Sequence, residues 1–113
     1  MIRNPTVIYL PDVQEFIDGL EKAERKKVIY NIDKTKEGLK GEWFKRMPGT
    51  DDLWEFRTLY NNKKIRLLCF WDTTDKNNPL IVTTNGFIKK KRKTPLNEIE
   101  KAERIKSDYF NKL

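Results

Sequence analysis

The sequence predicts an α+β fold: two N-terminal helices packed on an antiparallel β-sheet, followed by a C-terminal helix. Three observations carry this expectation. Apolar residues recur with a helical period as far as Leu39, the period shortens to two after Gly41, and a second helical stripe begins beyond Thr94. With 113 residues the chain can bury one core, so residues 1–113 are expected to form one domain.

PTVIYL reads as a short opening strand. Asp12 then follows Pro11 and precedes Glu15 by three residues, a variant of the capping box that marks a helix start. Val13, Phe16, Ile17 and Leu20 form one apolar stripe. Gly19 weakens this helix, and a second begins near Lys22. There Val28, Ile29, Ile32 and Leu39 are the expected core residues, with Glu24, Lys27, Asn31 and Lys34 facing solvent. Gly38 and Gly41 end it. EWFKRM, DLWEFRTLY, KIRLLCFWD and PLIVTTNGFIK are read as successive strands. Thr94 is the expected cap of the last helix and Pro95 suits its first turn. Ile99, Ala102, Tyr109, Phe110 and Leu113 line its stripe. The helices are expected to cover one face of the sheet.

Composition narrows the chemistry. A net charge of +7 and a pI near 9.5 favour polyanionic partners. Histidine is absent and Cys69 is the sole cysteine, which excludes His-based acid/base catalysis and leaves no credible zinc site. Cys69 lies inside IRLLCFW and reads as a small core residue in a reducing compartment. No apolar run is long enough to span a bilayer and the N-terminus lacks a signal-peptide core, so a cytoplasmic protein without membrane attachment is expected. Chemistry must then run on Lys, Arg, Tyr, Asp or Glu, with no cofactor.

The middle hairpin allows a sharper inference. Asn61-Asn62 suits a two-residue turn, because Asn tolerates the left-handed conformation such turns require. Tyr60 then pairs with Lys63, and Arg57 falls opposite Arg66. Alternation gives one face Trp54, Phe56, Ile65, Leu67, Cys69 and Trp71, the side beneath the helices. Glu55, Arg57, Arg66, Leu68 and Phe70 share the other. Facing like charges destabilise a sheet, and a bound anion offsets that better than Glu55 alone. Arginines on an open sheet face are ordinarily solvated or salt-bridged. Two that face each other beside a basic run point instead to a phosphate site.

That run, KKKRK over residues 89–93, ends the last strand. Such runs are most often solvated, but this one is pinned between a strand and a helix. Tyr60, Trp43 and Trp54 could stack on bases, though packing explains aromatics among apolar neighbours more simply. Packing is likewise the default for Tyr109, and Glu98, Glu100 and Glu103 read as a solvated helix face.

AERKKVIYNIDK, LWEFR, KIRLLCF, GFIKKKRKTP and EIEKAERIKSDY together resemble the RelE/ParE superfamily of type II toxin–antitoxin toxins, and within it the HigB-like, phage-derived branch. The resemblance implies a RelE-like fold and a metal-independent mRNA endoribonuclease acting on messenger RNA in the ribosome. A HigA-like helix-turn-helix antitoxin would neutralise it. Carried over by position, Arg57 closes LWEFR and Arg66 matches the arginine of the family's YRI strand. Lys89 and Lys90 match the paired lysines after Phe, and Lys93 the lysine before Thr-Pro. Arg57, Arg66, Lys90 and Lys93 are thus the expected catalytic residues, and Lys89, Lys91, Arg92 and Glu55 the expected RNA-binding ones. Either Glu55 or a lysine of the run would serve in proton transfer. A ParE-like gyrase inhibitor and a non-catalytic phage-derived nucleic-acid-binding protein are the alternatives.

Overall fold

The computed structural model describes residues 4–112. In chain order its elements are β1 (Thr6–Tyr9), α1 (Pro11–Asp18), α2 (Lys22–Lys36), β2 (Phe44–Arg46), β3 (Trp54–Tyr60), β4 (Lys63–Asp72), β5 (Leu80–Lys89) and α3 (Leu96–Asn111). The architecture is α+β. The sheet runs β1-β5-β4-β3-β2, with β1 parallel to β5 and every other pair antiparallel. It is therefore mixed, where an antiparallel sheet was expected. Thr6 pairs with Leu80, a contact between strands remote in sequence that no local pattern encodes.

Helices also cover both faces, which corrects the expectation of one. On the first face α1 and α2 bury Val13, Ile17, Val28 and Ile32 against Phe56, Ile65, Leu67, Cys69 and Ile81. On the second, Leu68, Phe70, Val82 and Phe87 pack with Ala102 of α3. The Phe70 ring lies 5.2 Å from Tyr109 and 5.4 Å from Phe110. The LLCF run of β4 is apolar on both faces, so it needs cover on both. That run was the overlooked signal.

Local details differ for physical reasons. Pro11 opens α1 with Leu10 as N-cap, because its missing N–H and fixed φ suit that position, so Asp12 lies in the first turn rather than capping. Pro95, not Thr94, precedes the first residue of α3. Glu24 and Asn31, expected outside, are buried beneath the end of the β3–β4 hairpin, which supplies polar partners. Asn31 Nδ2 donates to Thr58 Oγ1 at 2.9 Å. Leu39, expected inside, lies beyond the αL residue Gly38 (φ 86°) and is 53% exposed. The Leu113 assignment falls outside the described residues.

Glu24 joins the helices to the hairpin. It accepts from the Glu21 backbone N–H at 2.9 Å and pairs with Lys63 Nζ at 2.6 Å. The Lys63 hydrogen bond leads in holding its carboxyl below the ordinary 4.5, and the same bond holds Lys63 above 10.5. A depressed carboxyl stabilises the fold above its unfolded value and loses that contribution as pH falls through its folded one. The stability gap between wild type and Glu24→Gln, read from urea unfolding, is thus expected to be full at pH 7 and to shrink progressively below 4.5. A gap that stays constant down to full protonation would contradict this linkage.

Candidate nucleic-acid interface

The β3–β4 hairpin sets the site. Asn61 and Asn62 have φ of 47° and 65°, the left-handed pair of a type I′ turn. Tyr60 consequently pairs with Lys63, and Arg57 with Arg66. Both arginines leave the same face of the sheet, the face that α3 covers only in part.

Three ladder rows cross that face. Lys45, Glu55, Leu68 and Asn85 form one, Arg57, Arg66 and Phe87 the next, and Leu59, Lys64 and Lys89 the third. Neighbours across a row stand ~5 Å apart and successive rows about 7 Å apart, so the cations form one cluster. At its upper margin Asn85 donates to Glu98 Oε1 at 3.0 Å, which ties the first turn of α3 to the sheet. Glu98 is therefore part-buried and bonded, not the solvated side chain expected.

Burial separates the members. The Arg66 side chain is only 7% exposed, against 38% for Arg57. Arg57 Nη1 lies 3.6 Å from Glu42, and Arg57 Nε lies 3.6 Å from Glu55. Arg66 Nε lies 3.8 Å from Glu55 Oε2, too far to hydrogen-bond, and Nη1 donates to the Ile65 carbonyl at 3.3 Å. Arg66 Nε and Glu55 Oε2 are thus buried without a hydrogen-bond partner among the described residues. Burial lowers the Arg66 guanidinium below its ordinary range; Glu55 opposes this and Arg57 adds to it. Lys89 is lowered as well, first by burial and then by Arg66, with Glu55 opposing and Arg57 and Lys64 adding. A lysine displaced in that direction gives up its proton more readily.

Of the residues singled out by sequence, the ladder gathers Glu55, Arg57, Arg66 and Lys89. Lys90, Lys91, Arg92 and Lys93 continue into the exposed segment that returns to α3, outside the ladder. Lys45 and Lys64 were missed, although carrying the hairpin register one pair further would have found Lys64. Two of the aromatic candidates are occupied in packing: Trp43 donates to Thr35 Oγ1 at 3.0 Å beneath Lys34, and Trp54 stacks on Phe44 at 4.9 Å. Tyr60, half-buried, ends β3 opposite Lys63, on the face opposite the arginines. Among the described residues no trio of Cys, Asp or Glu side chains gathers as a metal site, and no helix is long and apolar enough to cross a membrane.

Tyr109 sits elsewhere. Its hydroxyl donates to Asp72 Oδ2 at 2.6 Å, which pushes the phenol up to about 12. Asp72 and Arg66 are six positions apart on one strand, about 20 Å. Tyr109→Phe is expected to cost about 1.5–3 kcal/mol in chemical unfolding, because a buried carboxylate loses a donor. Any activity belonging to the arginine cluster should be unaffected at temperatures where the variant stays folded.

Two surface hollows lie away from the cluster as well. One of about 490 Å³ runs along α2 past Lys22, Arg25, Lys26, Ile29 and Tyr30. The arginine face is instead a cationic ladder whose more exposed members, Arg57 and Lys64, border the buried Arg66. A family model described as "Phage derived protein Gp49-like (DUF891)" matches residues 15–107, a span that contains every member of the cluster. No curated protein matches the chain.

Proposed function

The chain belongs to the Gp49-like family of phage-derived proteins, which is related to the RelE/ParE toxin superfamily, and on that premise we propose that it is a type II toxin that cleaves messenger RNA on the ribosome. The observation that carries this reading is the facing pair Arg57 and Arg66 with an unsatisfied, buried Arg66 Nε. Guanidinium forks match the oxygens of a phosphodiester, and burial strengthens the interaction. In the proposed reaction Glu55 takes the proton from the ribose 2′-OH, and O2′ bonds to phosphorus. The P–O5′ bond breaks, and Lys89 delivers a proton to the departing O5′. Products are a 2′,3′-cyclic phosphate and a 5′-hydroxyl. Arg57 and Arg66 hold the charge that builds on the equatorial oxygens.

Lys90, Lys91, Arg92 and Lys93 are assigned to the adjoining RNA backbone, where exposed cations add affinity that weakens with salt. Lys90 and Lys93 stand as reserve proton donors. A site without histidine, whose proton transfer must run on Glu and Lys, acts slowly on free RNA, which suits an enzyme that borrows its substrate alignment from the ribosome. The proposed partner is a HigA-like helix-turn-helix antitoxin, and the proposed location is the cytoplasm.

The test is incubation of purified protein with programmed ribosomes and end-labelled mRNA. Fragments ending in a 2′,3′-cyclic phosphate are expected. Intact mRNA would remove the nuclease reading, and blocked gyrase supercoiling in its place would favour a ParE-like toxin.

A further inference from the structure

Glu55 stands where a phosphate would have to approach. Its two carboxylate oxygens lie 3.6 Å from Arg57 Nε and 3.8 Å from Arg66 Nε. Both are ion-pair separations, and both are too long for hydrogen bonds. The carboxylate thus neutralises part of the charge yet leaves Arg66 Nε unmet, and one of its own oxygens is unmet too. A pair that served only to stabilise the fold would be expected to close that gap, because unsatisfied buried ions are costly.

We infer that Glu55 is a resident competitor for the phosphate seat, one that weakens the binding of uncleaved RNA and releases that penalty during the reaction. The inference rests on the arginine pair holding the scissile phosphate. A docked phosphodiester makes the guanidinium hydrogen bonds that Glu55 leaves unmade, but it does so beside a like charge. When the 2′-OH proton moves to Glu55, the carboxyl becomes neutral at the moment the phosphorane gains its extra negative charge. The repulsion is then present in the ground state and absent in the transition state, and only such a difference accelerates a reaction. Nothing in the sequence signals this, since a lone Glu between cations reads as a counter-ion.

The probe is 2′-O-methyl uridylyl-uridine, which has one phosphodiester, lacks the reacting hydroxyl and keeps a constant charge near neutral pH. Its binding is followed on the arginine Nε–H resonances by NMR. Glu55→Gln, which keeps the shape and removes the charge, is expected to bind roughly tenfold more tightly than wild type, with the Arg57 and Arg66 signals shifting. Glu55→Asp, which draws the charge back, should fall between them. On ribosomes Glu55→Gln should lower kcat and KM together, the pattern left when ground-state strain is removed along with a base. Equal or weaker binding by Glu55→Gln would overturn the inference and leave Glu55 as a brace for the arginines. Unmoved arginine signals in all three proteins would overturn the phosphate seat itself. Tighter binding by Glu55→Gln with no ribosomal cleavage by wild type would support competition for the phosphate seat, and would overturn both the release of that penalty during a reaction and the nuclease reading.

Discussion

Arg66→Ala is expected to slow the proposed mRNA cleavage on programmed ribosomes by about 10²–10³-fold, as loss of one fixed donor to a developing oxyanion does. The effect should exceed that of Arg57→Ala, because Arg66 is 7% exposed and Arg57 38%. A guanidinium shielded from water acts through a lower effective dielectric, and its reorientation during the reaction costs less. Arg66→Lys should recover little activity: a lysine restores the charge but not the two-pronged donor geometry. Truncation also strands Glu55 beside Leu68 with one cation fewer, so some loss of stability is expected. Unfolding curves for Arg66→Ala, Arg66→Lys and wild type separate that loss from the catalytic one. Full cleavage by a folded Arg66→Ala protein would mean that the facing arginines are structural and the phosphate is handled by the exposed run at 90–93.

The hairpin explains why so much of this site could be read from the sequence. Turn type depends on Asn61 and Asn62 alone, register follows from turn length, and side-chain direction follows from register. Each step is local, so Glu55, Arg57 and Arg66 could be set on one face before any tertiary contact was known. What escaped was non-local. The pairing of β1 with β5 joins residues such as Thr6 and Leu80. The burial of Glu24 and Asn31 depends on where a distant hairpin ends, since Lys63 and Thr58 supply their partners. The same limit hid the role of α3. Its stripe is legible, but alternation alone puts the surface that receives it, Leu68 and Phe70, on the sheet's open face. The arginine cluster is what remains of that face once α3 has covered the rest. Lys64 differs: the same local register places it opposite Leu59, and only its third-row neighbour Lys89 on β5 depends on a strand pairing beyond the hairpin.

Gly86→Ala is expected to be the most damaging single-methyl addition in the sheet. Gly86 lies opposite Leu67 on β5, on the face beneath α1. A Cβ there would come within 2.3 Å of Phe16 Cδ2 and 2.8 Å of Leu67 Cδ2, far inside van der Waals contact. The glycine is needed for space, and its backbone imposes no left-handed demand. Phe16 can yield only by leaving its place against Leu67, or α1 must lift from the strand. Overpacking of this kind costs about 1–3 kcal/mol, which lowers Tm by several degrees in a chain of this size. Because Phe87 follows directly and faces Arg66, a lifted β5 should also shift Lys89 from the arginines and depress cleavage in the folded fraction. The decisive measurement is a double-mutant cycle in urea with Phe16→Ala. Removing the ring should make the added methyl nearly harmless, giving a coupling energy of about 1–3 kcal/mol. Strict additivity would show that the close approach of α1 to β5 is not what requires a glycine here.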